Sequence, residues 1–135
     1  MTPTSPTLQW SDREPSIVLP TVDELDRALD RITAQCAPNR PIIVVINAHG
    51  YAITLGLGLP ESFVQLAQSD EPQTQPYLVT VGNIRADGEL AFYFLGEHHT
   101  EIARRHLVPT STAREVARDV FTTGRRSQVT AWEEV

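Results

Sequence analysis

The 135-residue chain has one cysteine and no lysine. A lone Cys36 cannot close an internal disulfide, so a reducing compartment is the simpler reading. Cys36 ends a run of apolar residues at helical spacing, which predicts a buried, inert thiol. Long apolar runs are missing too. Runs such as residues 42–46 are far too short to span a bilayer. The first seven residues lack the basic cluster and apolar stretch of a secretory signal. A soluble, cytoplasmic protein with no membrane partner is expected.

Positive charge is scarce. Eleven basic residues, all arginine, face 17 acidic ones, for a net charge of −6. Phosphate backbones repel such a surface, which argues against direct nucleic-acid binding. A basic partner is favoured instead, mainly through faster encounter. Arginine without lysine is the usage of GC-rich coding and suggests a GC-rich bacterial source.

Hydrophobic residues make up 41% of the chain, which excludes a largely disordered protein. The length suits one domain, burying roughly two-thirds of its unfolded surface. Residues 1–7, rich in Pro, Thr and Ser, are expected to be flexible, and residues 8–135 to form a single domain.

Leu8–Trp10 reads as a short strand or packed arm, and Ile17–Leu19 as extended. Thr21 and Glu24 fit a capping box. Val22, Leu25, Leu29, Ile32 and Cys36 then recur at helical spacing. Pro41–Asn47 is β-branched and apolar on both faces, as in a central strand. Ala48-His49-Gly50 is a tight connection, and Tyr51–Leu55 should pair back, ending at Gly56-Leu57-Gly58. Glu61–Ala67 suits a helical turn or a strand, and residues 68–76 an exposed loop. Tyr77–Gly82 and Glu89–Leu95 read as strands joined by a hairpin at Asp87-Gly88. Gly96–Val108 is polar and ambiguous. Thr112 and Glu115 fit a second capping box. Ala113, Val116, Ala117, Val120 and Phe121 form an apolar stripe, and Gly124 suits the left-handed position after a helix. A short strand with Trp132 closes the chain. The sum is an α+β fold: a mostly antiparallel sheet with one N-terminal and one C-terminal helix packed on it.

No constellation compels an enzyme. Gly56-Leu57-Gly58 lacks the third glycine and the following helix of a dinucleotide loop. His98 and His99, adjacent in a strand, would point to opposite faces. No Cys-x-x-Cys or His-Glu-x-x-His pattern accompanies them or His106. No Gly-x-Ser-x-Gly elbow is present. His49 reads as a turn residue. No catalytic residue, metal or cofactor is expected.

The ordered set of these features resembles the Imm1 family of bacterial immunity proteins, the antidotes of polymorphic-toxin systems. The resemblance runs from about Leu8 to Trp132. It rests on Trp10, the Thr21–Cys36 helix, Leu55-Gly56-Leu57-Gly58, Glu61-Ser62-Phe63 and the strands around Asp87-Gly88. Above all it rests on the ending: helix, Thr123-Gly124, Val129 and Trp132. One departure is Ser127, where members often carry proline. The resemblance implies an α+β fold, no catalysis, and a cognate toxin, usually with a nucleic-acid (cytidine) deaminase domain, neutralised by occlusion of its active site. Any zinc would belong to the toxin.

Acidic loops are the expected partner-binding surface: Asp70, Glu71, Asp87, Glu97 and Glu101. Trp10, Gly56, Gly58, Gly124 and Trp132 are expected to be structural. Two other readings are a small ligand-binding or enzymatic domain using His98, His99 and Glu97, and a structural or secretion-adaptor protein.

Overall fold

Caps and β-branched runs set most borders of the fold. The computed structural model describes residues 5–37, 39–68, 77–95 and 97–135. Strands β1 (Thr7–Gln9) and β2 (Ile17–Val18) precede helix α1 (Val22–Gln35). Strands β3 (Ile42–Ala48), β4 (Tyr51–Leu57), β5 (Glu61–Ser62), β6 (Val64–Gln68) and β7 (Leu78–Val81) follow. Next come β8 (Glu89–Phe94), β9 (His98–Ala103), a 3-10 turn (Arg104–His106) and β10 (Val108–Pro109). Helix α2 (Thr110–Thr123) and β11 (Ala131–Glu134) complete the order. β1 begins at Thr7, one residue before the boundary expected at Leu8.

The result is α+β with a mostly antiparallel sheet and two helices. Neither helix is terminal: two strands precede α1, and a strand follows α2. The main sheet runs β11-β7-β6-β4-β3-β1-β2, with β8 also on β3 and β9 on β8. β5 and β10 form a separate pair. β3 is central, as its two apolar faces predict. One edge pairs with β4 along its whole length. The other edge is shared by β1, antiparallel at Val45–Asn47, and β8, parallel at Ile42 and Ile43.

Two apolar clusters lie on opposite faces. On one, Val44, Ile46, Ile53, Leu55 and Leu66 pack with Leu25, Leu29 and Ile32 of α1 and Val116, Val120 and Phe121 of α2. Both helices thus cover the same face. On the other, Ile43, Phe63, Phe92 and Leu107 meet, and the Phe63 and Phe92 rings lie edge to face at 5.5 Å. This second cluster seats the β8–β9 hairpin across the helix-free face. The 3-10 turn then docks on β7. Thr80 Oγ1 donates to the His106 carbonyl at 2.9 Å, and the Gly82 N–H to that of Arg105 at 2.8 Å.

Local signals held in several places. Thr21 accepts from the Glu24 N–H at 3.2 Å and caps α1. His49 and Gly50 both have positive φ, as a two-residue type I′ turn requires. His49 also bonds the Phe121 carbonyl at 2.8 Å through Nε2, so the turn clasps the end of α2. Gly124 sits at φ 70° just past that end. Cys36 is half-buried, and burial pushes its thiol up from the ordinary value.

Four expectations are corrected. The Thr112–Glu115 capping box does not form, because α2 starts three residues earlier than a cap at Thr112 would place it, with Pro109 at the cap position. Thr110 is fixed there instead, its N–H on the Pro60 carbonyl and its hydroxyl on that of Leu59. Asp87-Gly88 does not join a hairpin: β7 pairs with β6 and β11, whereas β8 pairs with β3 and β9. β4 runs two residues past the expected Leu55, to Leu57, and so ends inside Gly56-Leu57-Gly58. Trp132, which as a structural residue of the closing strand is expected to be largely buried, is only partly buried. Its indole N–H donates to the Ser127 carbonyl at 2.8 Å, so the ring lies along the edge of the core.

Candidate partner-binding surface

The β8–β9 hairpin carries most of the chemistry. Its register pairs Glu89 with Ala103, Ala91 with Glu101 and Tyr93 with His99 on one face. Leu90, Phe92, Phe94 and Ile102 alternate onto the other and pack into the second cluster. The first face is therefore turned outward. On it the Tyr93 and His99 rings meet edge to face at 5.8 Å, and the Arg40 guanidinium lies 4.2 Å over Tyr93.

Glu89 and Glu101 are diagonal neighbours on this outward face, within side-chain reach. The hydrogen bond to Glu101, and then its charge, hold the Glu89 carboxyl above the usual carboxylate range. No ion pair joins either one to a cation among the described residues. Beside them runs a groove of about 320 Å³ between the hairpin and β6, β7 and the C-terminal residue. Phe63 and Val79 line its apolar part, with Tyr77, Val135 and His106 around it.

A second polar group lies at the hairpin turn. Glu97 pairs with Arg13 at 2.9 Å, and His98 Nε2 is 3.3 Å from Asp12. Ligand atoms of Asp12, Glu97 and His98 fall within 4.8 Å of one another, all on exposed residues. His99 takes the opposite face, as the strand alternation predicts. His106 stands apart, with Nε2 3.7 Å from Glu133.

The structure places Asp87, Glu97 and Glu101 on or beside one hairpin without bringing them into one site. Asp87 precedes Gly88 at the start of β8 and is exposed. Glu97 is at the turn, and Glu101 lies on the outward face. Asp70 and Glu71 fall outside the described residues. Trp10 packs against the main core. Gly58 has φ +108° beside Cys36, and Gly56 lies beneath Phe92. Sequence reasoning missed Glu89, Tyr77 and the Asp12–His98 contact. The period-two pattern Glu89-Ala91-Tyr93 was a usable signal for Glu89, but its partner strand was unread.

Among the described residues, no helix is long and apolar enough to cross a membrane. No curated protein matches the chain. Residues 13–134, most of the chain, match the model of a protein family described as Immunity protein Imm1.

Proposed function

The chain belongs to the Imm1 family of immunity proteins, and from that we propose that it binds and neutralises a cognate bacterial toxin in the cytoplasm. The family match is the observation that carries this reading. The toxin is a nucleic-acid deaminase domain, probed by an acidic surface that stands in for its substrate. A deaminase working on nucleic acid needs a basic channel for the backbone, and carboxylates compete for that channel. The net charge of −6, and Glu89 and Glu101 without a cation on either among the described residues, support such a fit. Neutralisation is stoichiometric occlusion, with no catalysis, metal or cofactor on the immunity side.

The contact surface comprises Asp87, Glu97 and Glu101, with Asp70 and Glu71 from the sequence that precedes β7. The test is co-expression with the C-terminal domain of the toxin encoded beside it. Cells should survive, and the two chains should co-purify in equal amounts. Glu97→Arg/Glu101→Arg and Asp70→Arg/Glu71→Arg should each weaken the complex. A carboxylate fully buried against a toxin arginine would cost about 2–5 kcal/mol on truncation. Wild-type protection by both double variants would move the interface to the helices or the Trp10 arm. Failure of the wild-type chain to bind would overturn the reading itself.

The enzymatic or ligand-binding reading through His98, His99 and Glu97 has less behind it. His98 and His99 face opposite sides of β9, and Glu97 is already held by Arg13.

A further inference from the structure

We propose that the groove beside the β8–β9 hairpin is a receptor for one arginine side chain of the toxin, gripped by Glu89 and Glu101 and bedded on Tyr77 and Val135. This inference rests on the toxin-binding reading and deepens it.

Charge is the first reason. The chain holds eleven arginines and no lysine, and all eleven are among the described residues. Six of them make ion pairs elsewhere: Arg13, Arg27, Arg104, Arg105, Arg114 and Arg118. None is spent on Glu89 or Glu101. His106 on the groove wall has Glu133 as its nearest carboxylate partner. Two like charges are therefore left side by side on one strand face, an arrangement that disfavours the free protein. The hydrogen bond to Glu101, and then its charge, raise the Glu89 carboxyl, and a cation entering from outside offers both carboxylates a better partner.

Shape is the second reason. The groove, about 320 Å³, is at the small end of ligand sites and suits a side chain better than a nucleotide. Phe63 and Val79 form its buried floor, and the apolar surface still open to water belongs to Tyr77 and Val135, so a methylene stem laid against those two exchanges water for apolar surface. Tyr77 and Val135 remain exposed at the rim, 40% and 62%, although both are large and apolar. Aromatic and apolar groups around a charged centre are the composition of an interface anchor point. A guanidinium suits this better than an ammonium. It is planar, weakly hydrated, and offers donors to two carboxylates while its face stacks on a tyrosine.

Two measurements decide it. In the first, N-acetyl-arginine methylamide is titrated into the wild-type chain and followed by NMR at the Tyr77 ring and the Glu89 and Glu101 side chains. Saturable shifts are expected, weaker with the lysine analogue and lost with the uncharged citrulline analogue. Glu89→Gln/Glu101→Gln, which keeps side-chain shape at exposed positions, should lower the affinity about tenfold or more while its melting curve shows a folded protein. Equal shifts with citrulline, preference for lysine, or no shifts would overturn the proposal. In the second, the toxin domain is bound to the wild type and to the same double variant. A variant about tenfold weaker supports the proposal. A variant that binds like wild type overturns it and leaves the toxin reading intact. A wild-type chain that fails to bind the toxin overturns that reading, and the arginine titration alone then decides whether the groove is a guanidinium receptor.

Discussion

Gly56 has a hydrogen where any other residue would have a Cβ, and Phe92 uses the space. A Cβ built there would lie 2.4 Å from the Phe92 ring. Gly56→Ala should therefore lift the β8–β9 hairpin and cost about 1–3 kcal/mol, read as a lower urea midpoint. An unchanged midpoint would mean the ring has another resting place. Close backbone packing at Gly56 was legible in the sequence. Its partner was not, because Phe92 lies 36 positions further along the chain and nothing local ties them. The carboxylates behave differently. A folded-state acid whose pKa is raised binds more protons than the unfolded chain, so its contribution to stability falls as pH rises past the unfolded value. Glu101→Gln removes the carboxyl whose hydrogen bond, and then whose charge, raise Glu89. It should lift the melting temperature at pH 7, and the gain should shrink as pH falls and Glu89 takes up its proton. Thermal scans across that range check the sign; a variant less stable than wild type at pH 7 would mean the pair is not repulsive.

At the scale of elements, two identical motifs had different fates. Thr21 and Thr112 both stand three residues before a glutamate at the start of an apolar stripe. Thr21 caps α1, whereas Thr112 lies inside the first turn of α2, with Pro109 at the cap position. Thr21→Ala should cost about 1 kcal/mol, and Thr112→Ala only a few tenths, by chemical denaturation. Comparable losses would show that Thr112 contributes to α2 in another way. The difference was hidden in the sequence because the Leu59 and Pro60 carbonyls that hold Thr110 belong to a distant turn. Asp87-Gly88 misled for a related reason. A turn dipeptide reports that the chain reverses, not which strands pair afterwards. Helix faces were readable throughout, since period and burial coincide at Val116, Val120 and Phe121. The polar stretch that became β9 was not, because its pairing depends on the Phe92 side of β8 finding the sheet.

At the scale of the whole molecule, the charge surplus governs encounter. Exposed acids with no cationic partner among the described residues, Asp87, Glu89 and Glu101 among them, outlast the internal ion pairs and set the field. If the partner is a basic toxin, raising salt from about 20 to 150 mM should slow association by about tenfold and change dissociation little, as stopped-flow mixing would show. A salt-independent association rate would mean that the contact is steered by shape alone. The sheet order was beyond the sequence, because sharing of one β3 edge between β1 and β8 leaves no local mark. That shared edge has a further consequence. The hairpin springs from β3 at Tyr93 and Phe94 and comes down on β7 through the 3-10 turn, like an arch on two abutments. An arch fixed at both feet keeps its span when nothing stands beneath it. The groove next to its second foot is thus built before any partner arrives, so little ordering entropy is lost on binding and association should run as a single phase without a reshaping step.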